Sequence, residues 1–416
     1  MGYNKNKFME KVILHCDLNN FYASVEQKNH PEYVGMPLAV SGNPENRHGI
    51  VLAKNYLAKE AGVQTGEAIW ISRKKCPNII FVPPHFEEYV HYSNLVRSIY
   101  TEFTDRVESF GLDECWLDVT GSLKFFGMTG PQLADHIREE VKRRTGLTIS
   151  VGVSFTKVLA KLGSDLKKPD ATSVLMRSNY MDIIGEMSPS EMIMIGRKTA
   201  EKLKKLNIHT IRQLANASRK MLRDHFGVVG EHMVDYAQGI EHEEVKHYYD
   251  THVPKSISNG TTTPRDITTM ADAKTVIYAL AELVGTRLRK YGLVANGVSL
   301  SIRYSETLDG VSRHKTLEFP TSNSADFAKA AVELLKEMHS FPTPLRAMTV
   351  GAIRLDDKCV KQLCLIDDGE REEKLEDSVD KIRGKYGYNA ITRGVVLANN
   401  LTGNLHEEDG FEPFKR

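Results

Sequence analysis

Apolar and polar positions alternate along this chain in short blocks, and the blocks predict its elements. Val12-Ile13-Leu14-His15-Cys16 is a brief apolar run closed by polar Asp17 and Asn19, which predicts a buried strand ending in an acid. Phe21, Tyr22 and Val25 follow at helical spacing. Residues 37–40 and 49–53 read as strands and 55–61 as a helix closed by Gly62, so a small α/β unit extends to about Pro84. Beyond it come a helical pattern over 85–105, a hairpin over 110–119, a helix over 130–145 ended by Gly146, and a strand over 147–154. Strand, helix, hairpin, helix, strand is the order of a ferredoxin-like sheet with one insertion after its first strand, a topology that would bring Asp17 and Asp113 together. Short Lys-rich helices fill the stretch from Ser178 to about His242, and a polar tether covers 243–254. A second alternation follows, with strands near 255–267, 298–305 and 348–355 and helices over 271–291 and 324–340. No solenoid-type repeat or low-complexity stretch interrupts it.

Composition narrows the class. With 416 residues and 41% hydrophobic content, the chain can build two to four cored domains. No apolar run approaches the roughly 20 residues of a membrane span, and Asn4, Lys5, Asn6 and Lys7 precede only a short apolar strand, which argues against a secretory leader. Cys16, Cys76, Cys115, Cys359 and Cys364 make no close metal-type pair, and their odd number points to a reducing cytoplasm. The net charge of +1 does not advertise a nucleic-acid partner, but its distribution is uneven. Residues 255–355 carry 13 Lys and Arg against 9 Asp and Glu, whereas residues 356–416 carry 10 against 14. A basic block followed by an acidic tail fits DNA contact beside a partner-facing segment.

The candidate chemistry starts at Phe110-Gly111-Leu112-Asp113-Glu114-Cys115-Trp116-Leu117-Asp118-Val119, where adjacent acids interrupt an apolar run. Successive strand side chains point to opposite faces, so both acids can serve one cluster only where a turn or strand edge redirects one of them. Hard divalent cations such as magnesium would compensate such carboxylates; alone, the pair reads more readily as two solvated acids on a surface hairpin. Joined to Cys16-Asp17-Leu18-Asn19-Asn20-Phe21-Tyr22-Ala23-Ser24-Val25-Glu26, it resembles the first motif and palm hairpin of the Y-family, translesion DNA polymerases. Asn55-Tyr56-Leu57-Ala58-Lys59 and Lys167-Lys168-Pro169 agree in order and distance, and the resemblance, closest to the polymerase IV and kappa-like branch, covers nearly the whole chain.

The resemblance implies an α+β multidomain right hand. Its ferredoxin-like palm would comprise 1–20 and 85–175, small α/β fingers 21–84, a helical thumb with a helix-hairpin-helix element 176–242, a linker 243–254, an α/β little finger 255–358 and a tail 359–416. It implies template-directed, low-fidelity DNA synthesis across lesions without a proofreading exonuclease, by a monomer. Asp17, Asp113, Glu114 and the Leu18 carbonyl would hold two magnesium ions, with manganese able to substitute. Backbone N–H groups of Asn20, Phe21 and Tyr22 would meet the deoxynucleoside triphosphate, Tyr56, Lys59 and Lys168 would complete its cradle, and Tyr22 would be the steric gate against ribonucleotides. Lys59 stands where many relatives have Arg, Leu52 where a smaller residue is common, Gly111 in place of Ser, and Met194 in place of a first thumb glycine. Primer-template DNA would be held by Gly196 and Lys198 in the thumb and by Ser256, Ser258, Arg265, Arg303 and Arg313 in the little finger. Gln362-Leu363-Cys364-Leu365-Ile366 resembles a peptide that docks on the sliding clamp, with Gln362, Leu363, Leu365 and Ile366 as its contacts. Two other readings stay open: a DNA-binding scaffold that has lost activity, and a nucleotidyl cyclase using similar palm carboxylates.

Overall fold

The apolar run at the start of the chain becomes strand β1 (Ile13–Leu18), buried along its whole length at the centre of a five-stranded sheet. A computed structural model describes residues 10–42, 49–250, 253–357, 369–398 and 401–402. They form two compact units, one within residues 10–250 and the other within 253–402.

In the first unit β1 leads into α1 (Phe21–Asn29) and then an inserted sheet of β2 (Leu38–Ser41), β3 (Val51–Lys54) and β4 (Ile80–Val82), with α2 (Tyr56–Glu60) and α3 (Ile69–Lys75) between the last two strands. Asn55 staples this insertion: its side chain accepts from Leu38 N and Ala58 N and donates to the Met36 carbonyl. The main sheet resumes through α4 (Phe86–Thr101), the hairpin strands β5 (Val107–Ser109) and β6 (Glu114–Asp118), α5 (Leu123–Phe126), α6 (Gly130–Thr145), β7 (Ile149–Ser154), α7 (Lys157–Leu166) and β8 (Thr172–Leu175). Its order β5-β6-β1-β7-β8 places β1 antiparallel between β6 and β7, the ferredoxin-like arrangement expected, with β8 added parallel to β7. The hairpin begins at Val107, three residues before the predicted start. Helix α7 lies so close to the sheet that a Cβ at Gly152 would sit 1.9 Å from the Ala160 carbonyl oxygen, so only glycine permits the approach.

A helical group follows: α8 (Tyr180–Ile184), α9 (Arg197–Lys205), α10 (Ile211–Ala215), α11 (Arg219–Phe226) and α12 (Val228–Ala237), sharing one apolar core with Phe155, Leu159 and Leu162. The stretch expected as a tether is anchored as far as Tyr248. Val245 is buried beside Ile13, Trp116 and Ala160, Lys246 N donates to Glu108, and Tyr248 N to the Asp105 carbonyl.

The second unit is a four-stranded sheet of β9 (Ser256–Ile267), β10 (Leu293–Tyr304), β11 (Gly310–Thr321) and β12 (Leu345–Asp357), ordered β11-β10-β12-β9, with α13 (Met270–Lys290) and α14 (Ser324–Met338) packed on one face. Two elements went unpredicted. Strand β11 is an edge whose residues are nearly all solvent-exposed, so no apolar alternation marks it. Helix α15 (Gly369–Tyr386) corrects the reading of an acidic, partner-facing tail: Glu376, Asp380 and Arg383 pair with charges inside the unit, and Val396 and Leu401 beyond it enter the core. The candidate clamp peptide with Gln362, Leu363, Leu365 and Ile366 lies outside the described residues. Among the described residues no helix is long and apolar enough to cross a membrane.

Candidate active site

Pairing of β1 with β6 sets Asp17 directly opposite Glu114, and Leu18 N donates to the Asp113 carbonyl at 3.0 Å. Asp113 occupies the turn that precedes β6, while Glu114 opens the strand, so the turn redirects one of two adjacent acids as the hairpin reading required. Gly111 enters that turn at φ 104°, a conformation that the more usual serine would adopt only with strain. Asp17, Leu18, Asp113, Glu114 and Lys168 line one cavity of about 440 Å³ with Asn20, Phe21, Tyr22 and the β3 residues Leu52, Ala53 and Lys54.

The three acids differ in charge state. Burial raises the Asp17 carboxyl to about 7, against the opposing pull of Lys168, whose Nζ lies 2.8 Å from Oδ2. Burial and the neighbouring Glu114 raise Asp113. Glu114 goes the other way: burial pushes it up, but His15 and Lys161 outweigh that and hold it at about 2. Lys161 is the stronger of the two partners, 2.8 Å from Oε1, because His15 Nε2 stands 3.5 Å from Oε2, long for a hydrogen bond. His15 is fully buried, its Nδ1 meets Ser164 Oγ at 2.8 Å, and burial lowers its pKa, so it stays neutral. Lys161 and Lys168 therefore supply the countercharge of the acids here. Of these flanking groups, sequence reading found only Lys168. His15 and Ser164 come together only because β1 and α7 pack through Gly152.

Tyr22 is half-buried at the amino end of α1. Its ring stacks on Tyr89 with centroids 4.1 Å apart and planes 9° off parallel, and meets Phe86 edge-on at 6.1 Å. Burial and Asp113 raise its phenol to about 12, so it stays protonated. Tyr89 is itself fixed by its hydroxyl donating to buried Glu26, which also meets His85 at 2.9 Å. Asn20, at φ 48°, caps α1 without a side-chain bond, and Asn20, Phe21 and Tyr22 line the cavity. Tyr56 and exposed Lys59 do not line it; Lys59 Nζ lies 5.8 Å from the centre of the Tyr56 ring. Lys54, unpredicted, does line it, and its Nζ donates to Thr65 at 3.0 Å.

The predicted DNA contacts sort by their surroundings. Gly196 is the N-cap of α9 with no side-chain cap, and Lys198 is exposed two residues on. Met194 takes φ 74°, the left-handed conformation a glycine would hold without strain. In the second unit Val298, Leu300 and Ile302 face the helices, so the alternate Ser299, Ser301 and Arg303 point to the other face. Ser258 joins them through the pairing Ser258–Gly351–Ser299, as does Ser256 two residues before it. Arg313 pairs with Leu300 and so stands on the helix side, and Arg265 is gripped by both carboxylate oxygens of Asp272 at 2.9 and 3.0 Å. One further group has the composition of a metal site: atoms of His232, Asp235 and His242 lie within 4.8 Å of one another, on and just beyond α12.

Residues 16–165 match the impB/mucB/samB family and residues 254–365 that family's C-terminal domain. The chain is 42% identical to a DNA polymerase IV of Acetivibrio thermocellus over 94% of this chain and 98% of that one. A DNA polymerase IV of Clostridium acetobutylicum is 34% identical over 94% and 99% respectively, and DNA polymerase IV 1 of Bacillus subtilis is 32% identical over 98% and 99%. In fold it is similar to a solved Y-family DNA polymerase chimera, with a TM-score of 0.72 at 24% identity over 83% of this chain and 99% of the chimera.

Proposed function

Because this chain belongs to the impB/mucB/samB family, the Y-family DNA polymerases of translesion type, we propose that it extends a DNA primer by nucleotidyl transfer in the cavity walled by Asp17, Asp113 and Glu114. The observation that carries this reading is the register of β1 and β6, which sets acids about a hundred residues apart in sequence against one another at the mouth of one polar cavity. Three carboxylates line that wall, and burial holds the Asp17 carboxyl above its ordinary range despite Lys168, so the donor set fits hard divalent cations.

Asp17, Asp113, Glu114 and the Leu18 carbonyl would hold two magnesium ions, or manganese in their place. Bound there, such ions lower the pKa of the primer 3′ hydroxyl and stabilise charge on the α-phosphate and leaving pyrophosphate. The protein's own groups do the rest. Lys161 holds Glu114 ionised and oriented. Lys168 can turn from Asp17 to the triphosphate, whose phosphates meet the N–H groups of Asn20, Phe21 and Tyr22 and the side chains of Tyr56 and Lys59. Because Lys59 replaces a forked arginine with a point charge, phosphate geometry is less tightly set. The Tyr22 ring lies under the sugar and excludes a 2′-hydroxyl, and Leu52 crowds the nascent base pair, which narrows the lesions that fit.

On this assignment the palm is 1–20 and 85–175, the fingers 21–84, the thumb 176–242, the linker 243–254, the little finger 255–358 and the tail 359–416. Gly196 and Lys198, with Ser256, Ser258 and Arg303, hold the duplex by its backbone. Arg313 on the helix side and Arg265 engaged with Asp272 are the weaker candidates. Docking on the sliding clamp through Gln362, Leu363, Leu365 and Ile366 rests on sequence alone. The free, buried thiols of Cys16, Cys76 and Cys115 suit a reducing, cytoplasmic compartment, and the monomeric state rests on the resemblance. Primer extension tests the reading: Asp113→Asn abolishes extension and leaves DNA binding mostly intact, whereas appreciable extension by that variant would move the reaction elsewhere.

A further inference from the structure

The last thumb helix and the segment leaving it gather side chains that nucleotidyl transfer does not use. His232 and Asp235, three residues apart, share one face of α12. The chain then folds back, bringing His242 Nε2 to 2.8 Å from Asp235 Oδ2 and the His242 ring to 5.3 Å from that of His232, edge to face.

Three features distinguish this group from ordinary packing. First, His232 Nδ1 is buried and has no hydrogen-bond partner among the described residues, a state that buried nitrogens seldom keep unless something else binds them. Second, Asp235 is 6% exposed, and its other oxygen is held by Arg219, which fixes the carboxylate and leaves Oδ2 toward the histidines. Third, the His242 side chain is 43% exposed, which gives an ion a path from solvent.

We propose that His232, Asp235 and His242 form a binding site for a divalent transition-metal ion, zinc fitting best, separate from the catalytic cavity. Two imidazole nitrogens and one carboxylate oxygen suit zinc and disfavour magnesium, which prefers oxygen alone. Three protein ligands leave a fourth position to water. Arg219 then acts as the outer partner that orients the ligating carboxylate. The ion would staple α12 to residues 239–242, the segment in which Glu241 accepts from Lys157 N at 2.7 Å and which precedes the entry of Val245 into the palm core. The site does not depend on the polymerase assignment.

The test uses the full chain, stripped of metal with a chelator, incubated with zinc and desalted before metal analysis. Wild type and Asp113→Asn should each retain one zinc equivalent more than His242→Ala, whose affinity should fall by more than about a hundredfold, beyond the loss of an outer-sphere partner. Zinc should raise the melting temperature of the wild type and not of His242→Ala, and His232→Ala should match that variant. Because His242 is exposed, its replacement should fold, which the metal-free melting curve checks. Equal retention in wild type and both histidine variants, or no retention by the wild type, overturns the site. Loss of the equivalent in Asp113→Asn places the ion in the catalytic cavity and overturns it too.

Discussion

Tyr22 can discriminate a sugar only if its ring cannot tilt, and the structure assigns that restraint to residues far away in sequence. Tyr89 stacks beneath it at 4.1 Å and is held in turn by Glu26. An aromatic pair of this kind contributes roughly 0.5–1.5 kcal/mol beyond area burial, so Tyr89→Leu should raise ribonucleotide insertion about two- to tenfold while deoxynucleotide insertion changes little. Single-nucleotide insertion of UTP against dTTP measures this; unchanged discrimination means that the ring is held from another side. The acids invite a stability test. Burial and Glu114 raise Asp113 in the folded chain above the ordinary Asp value of about 3.9. Such a group contributes stability below its unfolded pKa and loses it as pH rises through the folded value. In metal-free protein, Asp113→Asn should therefore melt higher than wild type at neutral pH, with the difference closing as pH falls toward 4. A variant that melts lower at pH 7 would show that Asp113 is already compensated. Asp17, Asp113 and Tyr22 could be singled out because local motifs carry them, and the structure brings them to one cavity. Tyr89, His15 and Lys161 could not, since their parts are decided by packing between segments whose spacing carries no signal.

At the scale of elements, a strand's period of two decides which candidate DNA contacts can act together. Apolar alternation found β9, β10 and β12, because each buries one face against α13 and α14. Strand β11 escaped because most of its residues are exposed on an edge, held by pairing with β10 and by partly buried Val311 and Leu317. Register then separates two arginines that looked equivalent in sequence: Arg303 stands with Ser299, Ser301 and Ser258 on the face away from the helices, and Arg313 behind it. If that outer face tracks the duplex backbone, removing one phosphate-neutralising cation lowers the salt slope of binding by about 0.9. Arg303→Ala should show that decrease in anisotropy titrations across salt concentrations, and Arg313→Ala should retain the wild-type slope. The reverse ranking would place the DNA on the other side of the sheet. A similar local logic applies to the turn before α9, where Met194 takes a left-handed backbone conformation that glycine would hold without strain.

Across the whole chain, charge pattern was the least reliable guide. The acidic stretch after residue 356 read as a partner-facing tail, yet its described part is bound within the second unit by a network of ions. Arg289 meets Glu376 at 3.0 Å and Asp380 at 2.6 Å, while Glu282, 4% exposed, holds Arg383 at 2.9 Å and Arg393 at 2.7 Å. Arg393 returns to Glu376 at 2.9 Å. The partners are far apart in sequence, so net charge per segment could not separate a solvated tail from a helix that satisfies buried charges of α13. Glu282 is the only acid paired with Arg383 among the described residues, so Glu282→Ala should cost more than an exposed pair would. Removing one member of a buried pair costs about 3–5 kcal/mol. The lower end is expected here, because Arg393 keeps Glu376, and Arg383 keeps the Ile391 carbonyl and the Tyr388 ring. In hydrogen exchange the variant should lose protection in α15 and along 388–398, while peptides of β1 and α7 in the first unit exchange as before. Undiminished protection of α15 would mean that Val396 and Leu401 anchor the segment without the ions, and that the charges serve only to orient it.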